Sequence, residues 1–127
     1  MYISDIKHWD KRDKEADVIV TDGQYQLLCY ANPVQSIQCR EQVAGLFSFG
    51  CENIVKSEHC AVNIVKQTDY YAYELSAEVL SKVEGTVKMG QLVLQLDAPV
   101  PGDVQTGDYV TFKVQRIDAT TEKSGGQ

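Results

Sequence analysis

The sequence predicts a mostly-β domain, built as a small antiparallel barrel or rolled sheet of about seven short strands with at most one short helix. Three observations predict this class. Apolar and polar residues alternate along several short segments, turn residues separate those segments, and helical periodicity is almost absent. A chain of 127 residues buries roughly two thirds of its unfolded surface, so we expect one domain whose core needs neither metal nor disulfide.

The first firm element is a hairpin near the N-terminus. Residues 2–9 fit either a helical turn or a strand, and residues 10–15 are all charged, which is typical of a solvated loop. Residues 16–21 and 25–30 then form two strand-like runs, and Asp22-Gly23 lies between them. Asp-Gly supplies the positive φ that a tight turn needs, so this segment predicts a β-hairpin.

Residues 34–50 form the least regular part of the sequence. Val43, Leu46 and Phe47 have the i, i+3, i+4 spacing of a helix face, and Gly45 and Gly50 lie around them. This spacing predicts a turn or one short helix between residues 36 and 50.

The second half of the chain returns to strand patterns. Short strands are expected at residues 52–56 and 60–65, and the clearest alternation runs from Tyr70 to Val83. Two further pieces, interrupted by Gly90, precede a last strand that runs from Tyr109 to Ile117. The inward-alternating positions predict a core that includes Leu75, Val79, Leu94, Phe112 and Val114. We expect one domain over residues 1–118 and a disordered polar tail over residues 119–127.

Two stretches resemble small nucleic-acid-binding barrels of the OB type. Residues 18–27 carry a strand, Asp-Gly and a second strand, and residues 107–118 contain a Gly-Asp-Tyr-Val strand start that is similar to those barrels. The resemblance covers under a fifth of the chain. It implies an OB-like architecture and no particular functional residue.

Catalytic and metal-binding patterns are missing from the sequence. It contains no phosphate-binding glycine loop, no nucleophile elbow and no zinc-protease motif, and its two histidines, His8 and His59, lie in polar segments. The four cysteines, Cys29, Cys39, Cys51 and Cys60, form no C-x-x-C pair. We therefore expect no catalytic residues, no metal site, no cofactor and no enzymatic activity.

The net charge of −6 disfavours a long phosphate backbone as a partner. Both halves of the chain contain more Asp and Glu than Lys and Arg, whereas duplex DNA binding needs many placed cations. We expect no duplex DNA binding. The N-terminus lacks the pattern of a signal peptide and no apolar run approaches a membrane span, so we expect a cytoplasmic protein without a membrane partner.

Tyr70 is the best candidate for a binding residue. If Tyr71 and Tyr73 face the core, Tyr70 faces outward, where Lys66, Lys82, Lys88 and Lys113 on neighbouring strands could surround it. Aromatic residues beside lysines can stack the bases of a single strand. The alternative is that these tyrosines fill the rim of a small barrel with their hydroxyls in water.

These observations leave two hypotheses for the function. The first is a non-enzymatic binding module that docks on a protein partner or on a second copy of itself, which fits the acidic charge and the expected exposed sheet edges. The alternative is an OB-like barrel that binds single-stranded nucleic acid around Tyr70. The two differ in their response to salt, which weakens nucleic-acid binding much more steeply.

Overall fold

The computed structural model describes residues 1–32 and 36–121. Within these ranges every regular element is a β-strand, and no helix is present. The strands are β1 (Tyr2–Asp10), β2 (Glu15–Thr21), β3 (Gln26–Ala31), β4 (Val43–Phe49), β5 (Glu52–Lys56), β6 (Asn63–Lys66), β7 (Tyr73–Ser81), β8 (Thr86–Met89), β9 (Leu92–Gln95), β10 (Tyr109–Val114) and β11 (Arg116–Thr121). The predicted mostly-β class is confirmed.

All eleven strands belong to one sheet. Its order is β1-β2-β3-β11-β4-β9-β8-β7-β10-β5, and β6 pairs with β7 outside this path. Most pairs are antiparallel, but β3 with β11 and β4 with β9 are parallel. The sequence predicted a small antiparallel barrel or a rolled sheet; the sheet is open, so a closed barrel is not formed. One isolated bridge from Tyr2 to Gln42 links β1 to the segment before β4.

The strand number also differs from the sequence prediction of about seven. Residues 2–10, which were ambiguous in sequence, form the long strand β1. The predicted last strand is divided at Gln115 into β10 and β11, and β11 continues to Thr121. The tail expected over residues 119–127 therefore starts too early, because Ala119 pairs with Leu46 and is buried. Residues 122–127 lie outside the described ranges.

No helix forms between residues 36 and 50, where a turn or at most one short helix was expected, and residues 43–49 of this segment form strand β4. β4 pairs with β11 on one side and with β9 on the other. Its register with β11 shifts between Gly45 and Val43, so Ala44 forms an irregularity in the ladder. The extra residue, Ala44, puts Val43 and Leu46 on the same face of the sheet although they are three positions apart. A spacing of three positions is also typical of one face of a helix.

The core lies where the sequence pattern predicted it. Leu75, Val79, Leu94, Phe112 and Val114 are all buried. Two of them, Leu75 and Phe112, are direct cross-strand partners between β7 and β10. Alternation on these strands therefore identified the inward face correctly.

The predicted hairpin is formed by β2 and β3. Its turn runs through Asp22 and Gly23, and Gly23 has a φ of 98°. Asp22 accepts hydrogen bonds from the backbone N–H groups of Gln24 and Tyr25 within the turn and from Gln91 at the turn between β8 and β9. Desolvation tends to raise the pKa of Asp22, but these hydrogen bonds outweigh it and lower the pKa.

A second aspartate holds the bend between β4 and β5. Asp97 accepts hydrogen bonds from the hydroxyl of Ser48 at 2.5 Å and from the backbone N–H groups of Gly50 at 2.8 Å and Cys51 at 3.0 Å. Gly50 has a φ of 70°, and Gln115, the residue between β10 and β11, packs directly against it. The bend between β4 and β5 at Gly50 therefore lies beside the bend between β10 and β11 at Gln115.

Replacing Asp97 with alanine is expected to lower the free energy of unfolding at pH 7 by about 1–2 kcal/mol, since three donors lose a charged acceptor but remain near water. Desolvation raises the pKa of Asp97, but the hydrogen bonds outweigh it and the folded pKa is lower than usual. The ionised carboxylate therefore stabilises the fold above about pH 4, and this contribution disappears as the pH falls through the folded pKa. Urea unfolding between pH 7 and pH 2 should show the two proteins converging in acid.

Asp103 provides the matched control for this prediction. It is exposed and makes no hydrogen bond or ion pair with any residue in the described ranges. The Asp103→Ala variant should unfold like the wild type at every pH. A constant difference between Asp97→Ala and the wild type from neutral to acid pH would contradict the role assigned to the carboxylate.

None of the described residues lies in a helix long and apolar enough to cross a bilayer.

Candidate functional site

Four aromatic rings and one guanidinium form a continuous row on the outer face of the sheet. The ring centroids of Tyr70 and Tyr71 are 4.8 Å apart, and those of Tyr71 and Tyr30 are 6.2 Å apart, both edge to face. The guanidinium carbon of Arg116 lies 4.5 Å from the ring centroid of Tyr30 and 4.8 Å from that of Phe49. We call this set, Tyr70, Tyr71, Tyr30, Arg116 and Phe49, the aromatic row.

Strand register explains why these side chains meet. Arg116 of β11 lies directly opposite Phe49 of β4, and Asp118 lies opposite Tyr30 of β3. Residues directly opposite each other in a sheet share a face, and Arg116 and Asp118 share it because they are two positions apart. Tyr70 and Tyr71 come from the turn that precedes β7 and complete the row from outside the strands.

Much of the aromatic row faces solvent. Tyr70 is 54% exposed and Phe49 is 51% exposed, and Phe47, which is two residues from Phe49 in β4, is 44% exposed. Contiguous aromatic surface of this kind on a protein is a common sign of a binding site. Tyrosine and arginine are also the residues that most often dominate binding energy at protein interfaces.

Carboxylates border the row and bind its polar groups. The hydroxyl of Tyr71 donates to Asp17, and the hydroxyl of Tyr30 donates to Glu15 at 2.9 Å. Burial, followed by the hydrogen bond to Asp17, raises the pKa of Tyr71. Tyr71 therefore stays protonated at neutral pH and its hydroxyl remains a donor.

Arg116 is the cation at the centre of the row. Its Nε and Nη2 atoms donate to the two oxygens of Asp118 at 2.6 Å and 3.1 Å. This hydrogen-bonded pair is the main reason that the pKa of Arg116 is raised. The charge of Arg116 is thus already compensated within the chain, so the row offers a partner aromatic surface and carboxylates.

A pocket of about 490 Å³ opens beside one end of the row. Tyr70 and Tyr71 form part of its wall, and the charged residues that line it are Glu52, Asp69 and Lys113. Its remaining lining residues are Gln67, Ala72, Tyr73, Val114 and Gln115. We call this cavity the tyrosine pocket.

The structure separates most of the sequence-predicted site residues. Tyr70 and Lys113 line the tyrosine pocket together. The Nζ atom of Lys66 instead binds the backbone carbonyls of Gln67 and Asp69 and lies 5.5 Å from the ring centroid of Tyr73.

Lys82 and Lys88 lie away from the tyrosine pocket. The Nζ atom of Lys82 donates to the carbonyl of Gly102 at 2.9 Å, and Lys82 lines a different surface pocket beside Pro99. Lys88 lies opposite Glu78 on β7, with their charged atoms 4.0 Å apart. A cationic ring of four lysines around Tyr70 is therefore not formed.

Sequence reasoning missed the rest of the aromatic row. It placed Tyr71 in the core, whereas Tyr71 lies outside β7 and contacts Tyr30 and Asp17, and it assigned Phe47, which is two residues from Phe49 on β4, to a helix face. One signal was present: Arg116 and Asp118 alternate on a strand and so share a face. Their aromatic neighbours depend on pairing between distant segments, which a single sequence does not reveal.

The described residues include no group of three or more His, Cys, Asp or Glu side chains that could hold a metal ion. Cys29 is buried in the core, and burial raises the pKa of its thiol. Burial also raises the pKa of Cys51 to about 12, with Asp97 as the next cause. Both thiols are therefore protonated and poor nucleophiles at neutral pH.

No protein-family model matches the chain, and comparison with curated proteins and with solved structures finds no match either.

Proposed function

We propose that this chain is a cytoplasmic, non-catalytic binding module that docks another protein on the aromatic row. The observation that carries the proposal is the unbroken contact from Tyr70 through Tyr71, Tyr30 and Arg116 to Phe49 on an exposed sheet face. Rigid aromatic side chains of this kind lose little conformational entropy on binding and bury a large area. The exposed free thiols of Cys39 and Cys60 suit a reducing compartment.

Charge favours a basic partner over a second copy of this chain. Asp118 is paired with Arg116, which leaves Glu15 and Asp17 as the uncompensated carboxylates that border the row, and each molecule has a net charge of −6. Two copies would bring like charges together, whereas a basic segment would be attracted and steered to this face. We therefore assign the row to a different protein whose docking segment contains positive and apolar side chains.

Site-specific photocrosslinking tests this proposal. A benzoylphenylalanine at position 49 should yield one dominant protein adduct in an extract of the source cells, and the same probe at Val83, which is 98% exposed, should not. Unlabelled wild type should compete for the adduct, while a Phe49→Ala, Tyr70→Ala competitor should be at least about tenfold weaker, the ~1.4 kcal/mol loss expected for interface anchors. The adduct should form again when the identified protein is purified and mixed with the labelled module.

Two outcomes would contradict the proposal. Equal labelling from positions 49 and 83, or equal competition by the double variant, would mean that the row is not the docking surface. A covalent dimer of this chain would assign the row to self-association, and sedimentation of the wild type and of Phe49→Ala would then show a concentration-dependent dimer in the first only.

Single-stranded nucleic acid remains the second candidate, because a row of aromatic rings can also stack bases in the manner of OB-like proteins. Fluorescence anisotropy with single-stranded and duplex oligonucleotides at two salt concentrations compares the candidates. We expect no duplex binding, since the bordering carboxylates repel phosphates and Arg116 is already paired. Tight single-strand binding that weakens steeply with salt and is lost in Tyr70→Ala would favour this candidate over protein docking.

A further inference from the structure

We propose that the tyrosine pocket binds the guanidinium group of an arginine side chain presented by the docked protein. This inference rests on the proposed function, because the partner that covers the aromatic row would supply the arginine. The residues that select the guanidinium are Tyr70, Tyr71, Glu52 and Asp69, which line the pocket.

The charges around the pocket favour a cation. Glu52 and Asp69 line it, together with the ammonium group of Lys113. Lys113 also lies between two carboxylate residues in the sheet, opposite Glu74 on β7 and Glu52 on β5. The Nζ atom of Lys66 also lies beside the pocket, bound to the backbone carbonyls of Gln67 and Asp69. Three carboxylates, those of Glu52, Asp69 and Glu74, therefore face two ammonium groups, and this small negative excess favours a cation over phosphate.

The two lining carboxylates are available to a ligand. Neither Glu52 nor Asp69 makes a side-chain hydrogen bond or an ion pair with any residue of ranges 1–32 and 36–121. The turn that carries Asp69 is held in place, because the Nζ atom of Lys66 donates to the backbone carbonyls of Gln67 at 3.1 Å and Asp69 at 2.5 Å. An ordered turn presents its carboxylate without a large entropic cost on binding.

Arg116 shows how the same surface already holds one guanidinium. That group lies over the rings of Tyr30 and Phe49 and donates to both oxygens of Asp118. The tyrosine pocket contains the same components, tyrosine rings and carboxylates, but no arginine lines it. A planar guanidinium stacks on aromatic rings and pairs with carboxylates better than a lysine ammonium does, so arginine is the expected side chain.

A titration with small probes tests the pocket separately from protein docking. Amide NMR spectra of the full chain are recorded with N-acetyl-arginine amide, with the neutral isostere N-acetyl-citrulline amide and with inorganic phosphate. The arginine probe should shift signals of residues 69–72 and 113–115 in a saturable way, with a dissociation constant on the order of millimolar for a single weak ion pair and stacking contact. Citrulline and phosphate should leave these signals unchanged.

Three variants sharpen the test. Glu52→Gln with Asp69→Asn should weaken arginine binding about tenfold, the ~1.4 kcal/mol that follows from losing both charges. Lys113→Gln should instead strengthen it about threefold, because a competing cation is removed. Glu84→Gln with Asp103→Asn changes the net charge by the same amount outside the pocket and should have little effect.

Each result has a definite meaning. Equal binding of citrulline and arginine, weaker binding by Lys113→Gln, or phosphate binding would overturn the arginine assignment. None of these would affect the photocrosslink from position 49, since Phe49 does not line the pocket. Conversely, arginine binding without any specific crosslink would support the pocket as an arginine site and would contradict protein docking on the aromatic row.

Discussion

Replacing Phe112 with alanine is expected to lower the free energy of unfolding by about 3–5 kcal/mol, the usual cost of deleting a fully buried aromatic side chain. Phe112 is 1% exposed and lies opposite the fully buried Leu75 of β7. β10 lies between β7 and the edge strand β5, so strand pairing on both sides limits how far the backbone could move to fill the cavity. Urea unfolding followed by circular dichroism measures the change.

Phe49→Ala is the control for this loss, because it removes the same atoms from a ring that is 51% exposed. It should cost clearly less than Phe112→Ala, about 1 kcal/mol, since half of the ring is already in water and the loss includes the contact with Arg116. Similar midpoints for Phe112→Ala and the wild type would mean that the buried face of β10 has been misassigned.

Gly90→Ala is expected to lower the free energy of unfolding by about 2–3 kcal/mol, more than the ~1–2 kcal/mol of a left-handed alanine alone. Gly90 has a φ of 62°, and a Cβ there would lie 2.6 Å from the Oδ2 atom of Asp22. That oxygen cannot move freely because it accepts the backbone N–H of Gln91 at 2.7 Å. The substitution therefore strains the turn and breaks the link between the two hairpins; thermal unfolding measures the loss.

Gly102→Ala should be neutral or slightly stabilising by comparison. Its φ lies outside the left-handed range and a Cβ at this position meets no atom within 4 Å. An alanine there mainly reduces the freedom of the unfolded chain. If both alanine variants unfolded at the same temperature, the close approach of Asp22 to Gly90 would not be stabilising the fold.

The parts of the fold that are local in sequence were predictable. Alternation identified the buried face of β7 and β10, and Asp22-Gly23 identified the β2–β3 turn. The errors arose where distant segments decide the structure. The irregularity at Ala44 gave β4 a helical spacing, and the pairing of Ala119 with Leu46 extended β11 into a segment that looks like a polar tail.

The candidate site was predictable at two residues, Tyr70 and Lys113, which line the tyrosine pocket together. Tyr70 is exposed as expected from the sequence, but the lysines that were expected around it are largely held elsewhere, as Lys82 is by Gly102. Beyond Tyr71, the members of the aromatic row belong to β3, β4 and β11, which are brought together by a parallel pairing and a bend at Gln115. Neither feature has a local sequence signature, so the aromatic row appears only in three dimensions.

The position of β11 has a consequence for the synthesis of this protein. β11 lies between β3 and β4 in the sheet, although the ribosome completes those two strands more than sixty residues earlier. Until β11 emerges, the edges of β3 and β4 have no partner between them, and unpaired edges of this kind promote association with other chains. The nascent chain therefore passes through a long interval in which both strand edges are unpaired, and slow translation of its last segment should increase its loss to aggregation.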